Sequence, residues 1–182
     1  MNTKLKTWLT GPKLIKLLAG YSILITALVG LANLGGFLDN PTPQNATVLL
    51  GVQIVLFWCL IGGYLMYRLR DRFKNFFHRC PGSWQLKFIV FATAFALLEE
   101  VVTVALTNSA PLYGFTPLEV HVTASTNYFH VVFGHSVILF FGWIVAFAYL
   151  LKRYAFPLSH TFLLFGLLGV IGESSFGWQS FI

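Results

Sequence analysis

Charged residues are scarce in this sequence: Lys, Arg, Asp and Glu make up 10% of its 182 residues, whereas hydrophobic residues make up 57%. Soluble domains carry roughly 25% charged residues, so the composition excludes an ordinary soluble fold. Cysteine is scarce as well. With only Cys59 and Cys80, and no C-x-x-C motif, the sequence implies no disulfide framework.

Long apolar stretches are abundant instead. Five of them are long enough to cross a bilayer, because ~20 helical residues cover a hydrocarbon core of ~30 Å. We therefore predict an all-α, polytopic membrane helical bundle in which residues 1–182 form a single membrane domain. The predicted transmembrane helices cover residues 17–38, 46–67, 88–107, 128–151 and 158–178.

The distribution of Lys and Arg predicts how these spans are oriented. The cations lie before the first span, between the second and third, and between the fourth and fifth, whereas the connections at 39–44 and 108–127 contain none. This alternation predicts a cytoplasmic N-terminus and an external C-terminus, in the cytoplasmic membrane if the source is a prokaryote. It also accounts for the net charge of +6 without a nucleic-acid partner.

Segment 67–79 combines several of these cations with three phenylalanines. We interpret it mainly as a charge cluster that fixes the orientation of the second span. The alternative is a short interfacial helix that lies on an anionic leaflet.

Two adjacent carboxylates, Glu99 and Glu100, interrupt the third apolar stretch. A charged side chain at the centre of a membrane helix costs ~3 kcal/mol on insertion scales, so a functional role is the default hypothesis. Glu100 shares a helical face with Thr93, Thr103 and Thr107, a small and polar stripe that is typical of helix contacts in membranes. Glu99 shares its face with bulkier apolar residues and is harder to place.

Counting inward from the predicted outer ends of the spans places five polar groups at one depth. Glu100, His135 and Gln53 lie seven residues deep, while Glu173 and Asn33 lie five residues deep, which corresponds to roughly 8–10 Å. We interpret Asn33 and Gln53 as a supporting polar layer, because amides commonly join membrane helices. Glu100, His135 and Glu173 are the candidate functional group.

Two kinds of chemistry suit this group. His nitrogen and carboxylate oxygen are ligands for a divalent metal such as Zn or Fe, with Glu100, His135, Glu173 and His130 as candidate ligands. Without a metal, Glu100 or Glu99 would act as a base and His135 as an acid. Both versions predict a membrane enzyme, surrounded by membrane lipid, that acts on a lipid-like or membrane-embedded substrate.

Glu99 and Glu100, followed by the intramembrane His135, give the sequence a partial resemblance to the intramembrane glutamate proteases of the CAAX-processing family. That family has a Glu-Glu-x-x-x-Arg motif and a Phe-x-x-x-His motif. Here Val104 stands at the Arg position and Val131 at the Phe position. The resemblance therefore covers two or three residues, and we do not assign the chain to that family.

Other classes of function remain open. Glu and His inside a membrane are the parts of proton relays, so a small proton- or ion-coupled transport component is the main alternative. A non-catalytic subunit of a membrane complex is another, and either would assemble as an oligomer or with a partner subunit. The outer connection at 108–127 is long enough to form a lid over the polar layer, or simply a shield for the helix ends.

Overall fold

The computed structural model describes the backbone of residues 12–177 and the side chains of residues 13–168, apart from those at positions 139 and 158. The all-α prediction is confirmed: the structure is 82% helical, and the described residues contain no strands. The α-helices are α1 (Pro12–Asp39), α2 (Pro43–Ile54), α3 (Gly63–Arg79), α4 (Trp84–Asn108), α5 (Tyr128–Gly134), α6 (Ser136–Arg153) and α7 (Leu158–Gly177).

Local sequence signals explain where several of these helices begin. The Thr42 hydroxyl accepts the N–H of Asn45 at 3.2 Å, and Pro43 occupies the first turn of α2. At α4 the Ser83 hydroxyl accepts the N–H of Leu86 at 3.3 Å. The turn before α4 contains Gly82 at φ +108, a backbone conformation that favours glycine.

Four helical stretches of the described chain are long and apolar enough to cross a membrane: Lys13–Asp39, Pro43–Arg79, Trp84–Tyr113 and Tyr128–Arg153. They coincide with the first four predicted spans. The predicted fifth span coincides with α7, whose described apolar part, Ser159–Leu168, is shorter. The side chains of the rest of α7 lie outside the described residues, so the five-span count stays a prediction.

The second stretch is one continuous helical segment of 37 residues. Its middle, Val55–Gly62, is a π-helix that connects α2 to α3. At 1.5 Å per residue the whole segment is about 55 Å long, well beyond a ~30 Å hydrocarbon core. The cation-rich segment 67–79 is continuous with the helix that begins at Pro43 and does not form a separate helix.

The chain divides into two compact units, Ile25–Lys152 and the combination of Met1–Leu24 with Arg153–Ile182. Within the first unit, α4 contacts α2, the π-helix and α5. Close approach of α1 to α2 uses Gly30, where an added Cβ would lie 3.3 Å from a methyl carbon of Val52. The prediction of a single domain stays a prediction.

A cluster of fully buried side chains lies at the predicted outer end of the first unit. The cluster contains two residues of α2, Ala46 and Leu50, and two residues of the connection that follows α4, Ala110 and Val120. All four are fully buried, and Phe37 of α1 packs against them. At the predicted inner end, α3 and α4 meet through aromatic rings. The ring of Phe91 lies 5.1–5.8 Å, between ring centroids, from those of three residues of α3: Phe73, Phe76 and Phe77.

Candidate functional site

Glu100 lies on the buried face of α4, as its helical pattern predicts. The residue is only 8% exposed. Its Oε2 accepts a hydrogen bond of 2.9 Å from the hydroxyl of Thr103, which also lies 3.2 Å from the backbone carbonyl of Glu100. A carboxyl group in this position is held by a neighbour on its own helix and is shielded from the surroundings of the chain.

Glu99 has different surroundings. Its side chain is half-buried, and Cys59 of the π-helix lies within electrostatic range of it. Because adjacent helical residues point about 100° apart, the two carboxylates serve different interfaces of α4. The π-helix is the unusual element on the Glu99 side, and such segments are frequent at functional sites.

The polar face of Glu100 continues in both directions along α4. Thr93 lies seven residues earlier, and its buried hydroxyl has no hydrogen-bond partner among the described residues. Thr107 lies seven residues later, is fully buried, and its hydroxyl oxygen accepts the N–H of Val122 at 3.2 Å. Seven residues correspond to about 10 Å along the helix axis.

Thr107 also lines a cavity of about 220 Å³, whose other lining residues all belong to the connection 108–127. Hydroxyl groups and one imidazole dominate the polar part of this wall, and they come from Thr107, His121, Thr123, Ser125 and Thr126. No Lys or Arg lies in the connection, so the cavity is polar but carries no permanent positive charge. Glu100 lies two helical turns below the residue that reaches this cavity.

The connection 108–127 is an ordered cap over the helix ends. Gln53 of α2 donates a hydrogen bond from Nε2 to the hydroxyl of Tyr113, and the Tyr113 ring packs edge-to-face on Phe37 at 5.7 Å between centroids. Asn108 donates to the carbonyl of Thr126 at 3.0 Å and so joins the two ends of the connection. These contacts hold the cap in place above α4.

One carboxylate of the cap has a perturbed acidity. Glu119 accepts the backbone N–H and the hydroxyl of Thr116, both at 2.8 Å. The backbone hydrogen bond, and then the hydroxyl, stabilise the ionised form and lower the pKa of Glu119. Glu119 thereby closes a turn of the cap and does not line the cavity.

His135 separates α5 from α6. Its backbone, at φ −140 and ψ −87, leaves the helical region, and its Nδ1 lies 3.2 Å from the hydroxyl of Ser136. The Tyr128 hydroxyl donates to the carbonyl of Leu97 at 3.2 Å. The start of α5 thus contacts α4 about three helical turns before Thr107.

The structure describes the side chains of three of the four candidate metal ligands: Glu100, His130 and His135. The described residues contain no group of three or more His, Cys, Asp or Glu that could hold a metal ion, so Glu100, His135 and His130 do not form one by themselves. His130 is exposed in the first turn of α5. The side chain of Glu173 lies outside the described residues, and a metal site that includes it stays a prediction.

The supporting amides differ in what they contact. Asn33 donates to the carbonyl of Val29 in its own helix, at 2.8 Å. Gln53 joins α2 to the cap through Tyr113, a partner that sequence reasoning missed. Sequence reasoning also missed the proximity of Cys59 to Glu99 and the hydrogen bond from Tyr128 to α4. The only available signal for Tyr113 is an amphipathic ring near a predicted membrane surface, where tyrosine is enriched.

These features are compatible with an integral membrane protein: four helices are long and apolar enough to span a bilayer, and a buried carboxylate lies two helical turns from the cap. Comparisons with protein-family models, with curated proteins and with solved structures give no match for this chain.

Proposed function

We propose that the protein takes up and releases a proton or small cation at Glu100, as part of a small proton- or ion-coupled transport component of the membrane. The observation that carries this proposal is the buried Glu100 carboxyl, bonded to Thr103, with Thr107 on the same face reaching the polar cavity. Glutamates in such positions are parts of proton relays. The carboxyl group lies about 10 Å along the helix axis from Thr107. Proton transfer between Glu100 and the cavity through hydroxyl groups is therefore favoured over a direct reaction of Glu100 with a molecule in the cavity.

The topology proposed with this function has five spans, with the N-terminus in the cytoplasm and the C-terminus outside. The alternation of Lys and Arg supports it, and so does the length of α7, which has 20 residues. The cap and its cavity would then face the outer side. Large apolar side chains on α1 are exposed, among them Leu31 and Leu38, so lipid or further subunits would cover this helix.

Proton flux into proteoliposomes that contain a pH-sensitive dye tests the function. We expect Glu100→Gln to abolish the flux, because the amide neither binds nor releases a proton, and Glu100→Asp to retain part of it. Glu99→Gln is the matched control, since it removes the adjacent carboxyl on another face, and we expect a milder loss. Wild-type flux in Glu100→Gln would refute the proposal.

A membrane enzyme acting on a lipid-like substrate remains the second candidate. The cavity favours it, because a volume of about 220 Å³ accommodates a small headgroup. In this version Glu100 or Glu99 is the base, His135 the acid, and Glu173 a further ligand if a metal takes part. Stoichiometric metal in the purified protein, together with no proton flux, would favour the enzyme over transport.

A further inference from the structure

Arginines form a stripe along α3. Arg68, Arg72 and Arg79 follow one another at spacings of four and seven residues, which places them within about 40° on the helix surface. All three side chains are exposed. The single acidic residue of α3, Asp71, lies three residues after Arg68, about 60° from it on the helix surface. Its carboxylate is 3.8 Å from Arg70. Among the described residues, the ion pair that Asp71 forms is therefore with Arg70 and not with a member of the stripe.

The opposite face of α3 is fixed by packing. Phe73 and Phe77 contact Phe91 of α4 at 5.1 and 5.4 Å between ring centroids. Lys87 of α4 lies over the Phe77 ring at 5.6 Å. The arginines lie about 100° or more from these two rings on the helix surface. Phe76, which also contacts Phe91, at 5.8 Å, lies between the rings and the stripe, so the stripe borders the face of α3 that packs on α4 and is not part of it.

The first two arginines of the stripe lie at the distance from the apolar segment at which the headgroup layer of a membrane is expected. Arg68 is the first cation after the apolar part of the second span, and Arg72 follows it after about 6 Å. The polar layer extends roughly 5–8 Å beyond the hydrocarbon core on each side. Arg68 and Arg72 therefore lie within that layer, whereas Arg79, about 16 Å from Arg68, lies beyond it.

We propose that Arg68 and Arg72 form a binding site for the phosphate of an anionic phospholipid. Side chains four residues apart on a helix are neighbours, with Cβ atoms about 6 Å apart. Two guanidinium groups at that spacing can each donate paired hydrogen bonds to one phosphate. An anionic lipid is favoured over a zwitterionic one because the stripe offers two positive charges and no carboxylate. The inference rests on the membrane spans and does not depend on Glu100.

The experiment measures binding of fluorescent phosphatidylglycerol and phosphatidylcholine, both labelled on the acyl chain, to the full-length protein in detergent micelles. We expect the wild-type protein to prefer phosphatidylglycerol. We expect Arg68→Gln/Arg72→Gln to weaken its binding by about thirty-fold, since each cation near an anionic membrane surface contributes a several-fold increase in affinity. Arg68→Lys/Arg72→Lys should be intermediate, because lysine keeps the charge and loses the paired hydrogen bonds.

The matched control is Arg70→Gln/Lys74→Gln. It removes the same number of charges, at the same spacing, from another face of α3, and we expect it to change binding by less than about threefold. Circular dichroism of each variant checks folding, and the lysine variant keeps the test valid if the glutamine variant does not fold. Equal loss in both double glutamine variants, no preference in the wild type, or full competition by soluble glycerol phosphate would each overturn the proposal.

Discussion

The continuous helix α2–α3 packs on α4, and the two ends of this helix pair are stabilised in different ways. At the outer end, small and branched side chains such as Ala46, Leu50 and Ala110 are fully buried beneath the cap. At the inner end, α3 and α4 meet through the rings around Phe91, while the neighbouring cations stay exposed. The polar cavity lies at the end that is tightly packed and has no Lys or Arg. The inner end instead carries the exposed Lys and Arg residues from which the orientation of the chain is predicted.

The largest effect is expected from breaking the outer cluster. Leu50→Ala removes a fully buried side chain and leaves a cavity, so we expect a loss of about 2–4 kcal/mol in the free energy of unfolding. Denaturation by SDS in mixed micelles, followed by circular dichroism, measures it.

Leu34→Ala is the control for this change. Leu34 is 43% exposed on α1, and its truncation should cost less than about 1 kcal/mol, because it leaves no buried cavity. Equal losses in the two variants would mean that the cap does not seal the outer end.

A smaller effect is expected at the inner end. Phe91→Leu removes ring contacts with Phe73, Phe76 and Phe77 but keeps an apolar side chain, so we expect a loss of about 1–2 kcal/mol in the same assay. Phe57→Leu, at a side chain that is 51% exposed, serves as the control. If Phe91→Leu destabilised the protein more than Leu50→Ala, the ranking of the two ends would be reversed.

The smallest effect concerns the acid sensitivity of the cap. The pKa of Glu119 is lower in the folded protein than its ordinary value of 4.5. The hydrogen bonds from Thr116 therefore contribute stability above that ordinary value, and the contribution is lost as the pH falls through the lowered pKa. Hydrogen exchange should show the Thr116 amide losing protection in that acidic range. In Glu119→Gln the protection should not vary with pH, and acid-sensitive protection in that variant would assign the effect to another group.

Sequence periodicity was sufficient to place Glu100 on the buried face of α4, because a small and polar stripe at a helical spacing has few other uses in a membrane. Apolar length likewise predicted the four long helices. The contact between Gln53 and Tyr113 was not predictable, since it joins residues 60 positions apart through a cap whose fold depends on tertiary packing.

The sequence pattern also did not predict the π-helix at 55–62 or the interruption of the helix at His135. Neither segment contains proline, and both read as continuous apolar helix. The sequence therefore did not predict that Cys59 of the π-helix and Glu99 of α4 lie close enough to interact electrostatically. The remaining members of the predicted cluster, His135 and Glu173, stay candidates for the site.

The proposed function requires Glu100 to be the group that binds and releases protons from the outer side. Difference infrared spectroscopy of the reconstituted protein, recorded between two external pH values, detects the C=O stretch of a carboxyl group that changes protonation. We predict a carboxyl band that is absent in Glu100→Gln and retained in Glu99→Gln. A band that persists unchanged in Glu100→Gln would show that another carboxyl group binds the proton.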